Sequence, residues 1–261
     1  MARTFLLTLC LSLLLSGTSA AEERNVSSLG RLEPFNGVIR LSGPSGVGMS
    51  GSVIKELSVA EGDWVEQDQI VAYLDSYQLR RAEVARLEAI LDNAQREMTR
   101  QQDLAKTSAT SRTQLDAATM ELNIARADLS AAQARLELSV VRAPLRAQVL
   151  EVHSYPGESV GPDGILELAQ TDRMYAVAEV YETDISRVRV GQAATVKGPA
   201  LGAGVSGKVE RIALKVGRMD VLGTDPIAKT DARVVEVFIL LDNSDSVAGL
   251  TNMQVEVEIE S

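Results

Sequence analysis

Few residues of this chain have types and spacings that do chemistry. Its 261 residues include one histidine, His153, and one cysteine, Cys10. Cys10 lies inside an N-terminal apolar run, so no histidine–cysteine metal set is available and no disulfide is expected. His153 by itself reads as a β-surface histidine. Two similar stretches stand 95 positions apart, Glu61-Gly62-Asp63-Trp64-Val65 and Pro156-Gly157-Glu158-Ser159-Val160. Asp63 and Glu158 would suit a general acid–base dyad. As equivalent residues of a repeat they are better read as caps of their own β-turns. Gly43-Pro44-Ser45-Gly46-Val47-Gly48 suggests a phosphate cradle, but no Lys-Ser/Thr follows it and no helix pattern opens after it, so it reads as a loop. No serine is flanked as in a nucleophile elbow. These residues imply no enzyme, no cofactor and no bound metal.

The elements around them are more informative. Each repeat is a tight turn opening a strand, so two half-domains that pair with each other are expected. Between them the period changes. Val84, Leu87, Leu91, Ala94, Met98, Gln101 and Ala105 step by three and four residues, as do Leu115, Ala118, Leu122, Ala125, Leu129, Ala132 and Leu136; each set is a heptad seam. Polar Lys106 to Ser111 separates them, and a break that short folds the second helix back on the first. Ser111, with Gln114 three residues on, fits a capping box. Residues 76–106 as a helix would span about 46 Å. Seams packed on the β domain are the alternative; two seams matched in length and register favour each other.

Strand patterns follow at Val140 to Arg142, Tyr175 to Glu182, Ala194 to Lys197, Lys208 to Val216, Val234 to Leu241 and Met253 to Ile259, which suggests a small antiparallel barrel. The fold class is therefore α+β and elongated. Residues 1–20 read as a cleavable signal peptide, with Arg3, the apolar run Phe5 to Leu15, and the small residues Thr18-Ser19-Ala20. The run is about half of the roughly 20 residues a membrane-spanning helix needs, which disfavours the alternative of a retained anchor. Residues 21–37 are polar and aperiodic, a flexible leader. A net charge of −10 argues against a nucleic-acid face and against electrostatic adsorption to anionic lipid.

Together these parts resemble the periplasmic adaptors, or membrane fusion proteins, of the HlyD/MacA-like superfamily. Gly62-Asp63-Trp64-Val65 with Gln69-Ile70-Val71 and Leu74-Asp75 is similar to the first half of that family's lipoyl-like domain, and Val141-Arg142-Ala143-Pro144 to the start of the second. Tyr181-Glu182-Thr183-Asp184-Ile185, with Val188 and Gly191-Gln192, resembles its barrel signature. The resemblance implies a lipoyl-like β-sandwich (barrel-sandwich hybrid) over 38–75 and 141–170, split by a coiled-coil α-hairpin over 76–140 with its tip at 104–111, and a β-barrel over 171–261. Arg100, Leu104 and Ser111 have the spacing of the family's hairpin-tip motif, which implies docking on a TolC-like outer-membrane channel. Read from the residues alone, the same three are either a small anchor with hydrogen-bonding rim groups or a solvated arginine, a packed leucine and a helix cap.

Within the family, Gly30 to Pro34, Asp220 to Pro226, Asp231 to Val237 and Ala248 to Met253 resemble the DevB branch of ABC exporter adaptors. That branch implies an inner-membrane ABC transporter, a homo-oligomer, expectedly a hexameric ring, and export of a lipid, glycolipid or other small amphiphile, with the protein in the periplasm and held at the inner membrane through its transporter. Three departures stand out: Ala147 replaces the usual glycine after the Ala-Pro pair, the given chain ends with the barrel, and what reads as a cleavable signal stands in place of the N-terminal membrane anchor common in this branch. The rival readings are a periplasmic coiled-coil scaffold and a biotinyl or lipoyl carrier. A carrier would need a modifiable lysine in the turn between the halves, where the coiled coil stands instead.

Overall fold

The computed structural model describes residues 25–44, 51–220 and 232–260. The expected signal peptide, most of the glycine-rich stretch at 43–48 and most of the Asp220 to Pro226 segment lie outside them. Thirteen strands and two α-helices are β1 (Val26–Pro34), β2 (Val38–Leu41), β3 (Ile54–Leu57), β4 (Trp64–Val65), β5 (Ile70–Leu74), α1 (Tyr77–Lys106), α2 (Arg112–Glu137), β6 (Val140–Arg142), β7 (Ala147–Val152), β8 (Leu166–Ala169), β9 (Met174–Tyr181), β10 (Ala193–Lys197), β11 (Val205–Arg218), β12 (Arg233–Leu241) and β13 (Gln254–Ile259). Among the described residues, no helix is long and apolar enough to cross a membrane.

The two repeats interlock as partners. Strands β2-β8-β7-β4 form one antiparallel sheet and β3-β5-β6 another, and residues of both, including Ile54, Val65, Val71, Leu74, Val149, Leu166 and Leu168, close one core. Each turn glycine lies in the left-handed region (Gly62 φ 91°, Gly157 φ 94°), where a side chain would be strained. The Gly62 N–H donates to the Val149 carbonyl and the Gly157 N–H to the Ile54 carbonyl, each at 2.8 Å. In return Val149 donates to Asp63 O at 2.8 Å and Ile54 to Glu158 O at 2.9 Å. The two acids do the same local work. Asp63 Oδ2 accepts from the Ala60 N–H and Glu158 Oε2 from the Tyr155 N–H, each three residues back and 2.8 Å away. They are turn caps, one in each half.

The seams of the two helices pack on each other, and α1 touches the sheets at its base, where the Tyr77 ring lies 4.7 Å from that of Tyr73 on β5. Val84 and Leu87, early in α1, meet Leu129 and Ala132, late in α2. Further out, Ala94 and Met98 meet Leu122 and Ala125. That pairing of early with late residues is an antiparallel seam, and alanines at 94, 118, 125 and 132 leave room for a close approach. The base is tied to the sheets through Leu74, whose N–H donates to the Ser139 carbonyl at 3.0 Å.

A closed barrel of order β1-β13-β10-β11-β12-β9 completes the fold, and here the sequence reading needs correction. Residues 26–34, expected within a flexible leader, are a barrel strand paired with β13 on one side and β9 on the other. The period was hidden because the buried positions of β1 are Val26, Gly30, Leu32 and Pro34. Glycine and proline at inward positions read as breakers. Gly30 is there because a Cβ would lie 2.4 Å from the Val177 carbonyl oxygen. The barrel therefore takes its first strand from before the lipoyl-like halves and the other five from after them.

Candidate functional site

The closed end of the hairpin is built from helix-end chemistry. Helix α1 stops at Lys106, where the Leu104 carbonyl accepts from the Thr107 N–H (3.2 Å), the Ala109 N–H (2.9 Å) and the Thr107 hydroxyl (3.0 Å). Ser108 turns the chain with φ 55°. Helix α2 then starts at a full capping box: Ser111 Oγ accepts from the Gln114 N–H at 3.2 Å, and the Ser111 N–H donates to Gln114 Oε1 at 3.2 Å. The Thr110 hydroxyl lies 2.6 Å from Gln101 Oε1 and 3.0 Å from Gln114 Oε1, so it links the last turns of α1 to the cap of α2. Sequence reasoning placed Gln101 in the seam without giving it this partner. A polar residue at a seam position was the available signal.

The three tip residues sit in distinct settings. Arg100 and Leu104 are four residues apart on α1 and share a face. The Arg100 guanidinium is 69% exposed and donates to Glu97, one turn back. An exposed pair of that kind holds its partners weakly and leaves the guanidinium free to exchange. Leu104 is exposed at 37%, although its carbonyl is fully engaged. Ser111 is exposed and its oxygen serves the cap. Lys106 pairs with Asp103 at 2.8 Å, and that hydrogen bond holds its ammonium above the usual lysine range. The tip therefore offers an apolar contact, a guanidinium and hydroxyls on a preorganised loop. It holds no nucleophile–base pair and suits binding, not bond-making.

A second group was missed in the sequence. Among the described residues, Glu151, His153 and Glu167 bring three ligating atoms within 4.8 Å of one another. Glu167 is 14 positions beyond His153 and reaches it only through strand pairing, which spacing along the chain does not reveal.

Residues 76–140 match the family described as "RND MFP, alpha-helical hairpin domain". The "Macrolide export protein MacA" of Escherichia coli O157:H7 is 29% identical over 212 residues, covering 69% of this chain and 56% of that protein. The "Multidrug resistance protein MdtA" of Salmonella typhimurium is 29% identical over 195 residues, covering 69% of this chain and 46% of its own length. The chain thus spans about half the length of the curated relatives it matches. Among solved structures, a MacA-MexA chimera carrying the Pseudomonas aeruginosa MexA hairpin superposes with a TM-score of 0.72 at 20% identity, covering 91% of this chain and 79% of the chimera. The membrane fusion protein Spr0693 of Streptococcus pneumoniae R6 gives 0.66 at 18% identity, covering 90% and 99%. At these identities the structures show a shared fold.

Proposed function

We propose that this chain is a membrane fusion protein, one of the periplasmic adaptors, and serves as the non-enzymatic coupling subunit of a tripartite export system; the hairpin-family match over residues 76–140 and the likeness to MacA and MdtA support this reading. It would join an inner-membrane ABC transporter to a TolC-like outer-membrane channel. The observation that carries this reading is the insertion of a two-helix rod between two interlocked half-domains, with its far end preorganised and exposed. Arg100, Leu104 and Ser111 at that end are the channel contacts: the leucine is the anchor, and the guanidinium and hydroxyl are its polar rim. The β domains face the transporter, and several copies packed side by side, six by family expectation, line a conduit. The protein works in the periplasm after removal of residues 1–20 and is held at the inner membrane by its transporter. The cargo is a lipid, glycolipid or other small amphiphile.

A second reading has its own support. The matched hairpin family is described by the RND class, so an RND pump is the alternative inner-membrane partner. Photocrosslinking in the native host from Ala109, beside the three tip residues, tests the proposal. Capture of an outer-membrane channel supports it. Capture of this chain alone, with export intact, favours a periplasmic scaffold and removes the roles of Arg100, Leu104 and Ser111. Crosslinks from the barrel face would separate an ABC permease from an RND pump.

A further inference from the structure

The outer face of the β2-β8-β7-β4 sheet carries an arrangement that coupling does not explain. Glu151 on β7 and Glu167 on β8 stand directly opposite each other in register. Both side chains point away from the core residues Val152, Leu166 and Leu168. Like charges at a directly opposed pair destabilise a sheet. The pairing of β7 with β8 is irregular between Val149 and Glu151, the kind of local feature found beside functional sites. His153 follows two residues after Glu151 and rises from the same face. Its backbone is fixed, with the N–H donating to the Ile165 carbonyl at 2.8 Å.

The imidazole is mostly buried, at 19% exposure, and lies between the two carboxylates: Nε2 is 3.6 Å from Glu167 Oε1 and Nδ1 is 3.8 Å from Glu151 Oε1. Neither distance is a hydrogen bond. The Nε2–Glu167 distance is near the roughly 3.4 Å that separates two ligands each about 2.1 Å from a tetrahedral ion, whereas Glu151 sits beside the other ring nitrogen. The Nε2 atom is sealed from solvent and has no hydrogen-bond partner, and a buried ring nitrogen without a partner calls for explanation. Glu151 is 63% exposed and has the freedom to swing toward an ion at Nε2. One further charged group faces the cluster. Arg40 on β2, opposite Glu167 in register, donates to Glu167 Oε1 at 2.9 Å and is itself 65% exposed.

We propose that Glu151, His153 and Glu167 form a binding site for a divalent transition cation of the zinc type on the outer face of this sheet. One imidazole nitrogen with two carboxylate oxygens suits Zn²⁺ and its neighbours and disfavours Mg²⁺ and Ca²⁺, which take oxygen-only sets. Three protein ligands leave a fourth position for water or an exchanging group. The ion neutralises the opposed glutamates and ties β7 to β8 with a bridge that neither side chain can supply alone. Arg40 occupies Glu167 in the ion's absence and is displaced into solvent when the ion binds.

The test uses the protein purified without an affinity tag, titrated with Zn²⁺ against a chromophoric chelator and followed by proton NMR. His153 is the one histidine of the chain, so its imidazole resonances are unambiguous. The expected result is one Zn²⁺ per chain, with the His153 resonances shifting in step with occupancy. His153→Ala, Glu167→Gln and the exposed Glu151→Gln should each weaken binding beyond the roughly 10- to 100-fold that outer-shell changes cost. Arg40→Ala should leave affinity equal or tighter. Each variant's melting curve without zinc checks that it is folded. No binding by the wild type, binding that leaves the His153 resonances unmoved, or affinity unchanged in folded Glu151→Gln and Glu167→Gln overturns the proposal.

Discussion

At the scale of single residues, the same atom can serve structure and partner, and Ser111 is the sharpest case. Its Oγ is committed to the Gln114 N–H, so a loss of function in Ser111→Ala would by itself be ambiguous. Replacing a capping serine by alanine costs about 1 kcal/mol, whereas aspartate caps as well as serine. Ser111→Ala should therefore lower hairpin stability by about 1 kcal/mol in denaturant unfolding, and Ser111→Asp should restore it. If the hydroxyl meets a channel, Ser111→Asp restores stability and still loses crosslinking from Ala109. If Ser111 only caps, both recover together. Asp63 and Glu158 show the opposite situation. Each carboxylate accepts from an N–H three residues back, so the pair that a sequence offers as a catalytic dyad is two copies of one turn.

At the scale of elements, the hairpin is held by two small clusters made of its own residues alone. Its stability is thus local and separable from that of the barrel. Leu122 packs with Ala94 and Ala125, and these alanines have no side-chain volume with which to fill a gap. Leu122→Ala should cost about 2–5 kcal/mol locally. Hydrogen exchange should show it: amides of α1 and α2 lose protection while those of β9 and β12 keep theirs. Uniform loss across both regions would mean that rod and barrel unfold as one unit. The hairpin was the most legible element in the sequence, because seams at period 3.5 and a capping box both act within one turn of helix. The lipoyl-like halves were legible for a similar reason, since the repeat advertised its turns. Their mutual hydrogen bonds, Gly62 to Val149 and Gly157 to Ile54, join residues far apart in the chain and needed the fold.

At the scale of the whole molecule, β1 joins the N-terminal part of the chain to a barrel otherwise built from its last third. Arg31 reinforces the closure. Its guanidinium pairs with Glu33 on its own strand at 2.6 Å, with the buried Glu179 of β9 at 3.2 Å and with Glu236 of β12 at 2.8 Å. One planar donor fork thus spans three strands. Gly30, next to it, permits β1 to lie against Val177. Because the obstructing atom is backbone, it cannot rotate aside, and Gly30→Ala should cost about 1–3 kcal/mol. Its melting temperature should fall, and the barrel amides should lose protection before those of the hairpin. A wild-type melting curve would show that β1 is dispensable to the barrel.

What the sequence alone determined was whatever is written in local period and local turn chemistry: the paired seams, the cap at Ser111, the two glycine–acid turns and most barrel strands. Those signals work because a helix face repeats every 3.6 residues and a strand every two, within reach of one window. Tertiary structure alone decided the rest. It made a barrel strand of residues 26–34, whose inward glycine and proline carry no hydrophobic signal and are explained only by the backbone they lie against. It also brought Glu167 to His153, because β-pairing, not sequence spacing, sets which side chains become neighbours.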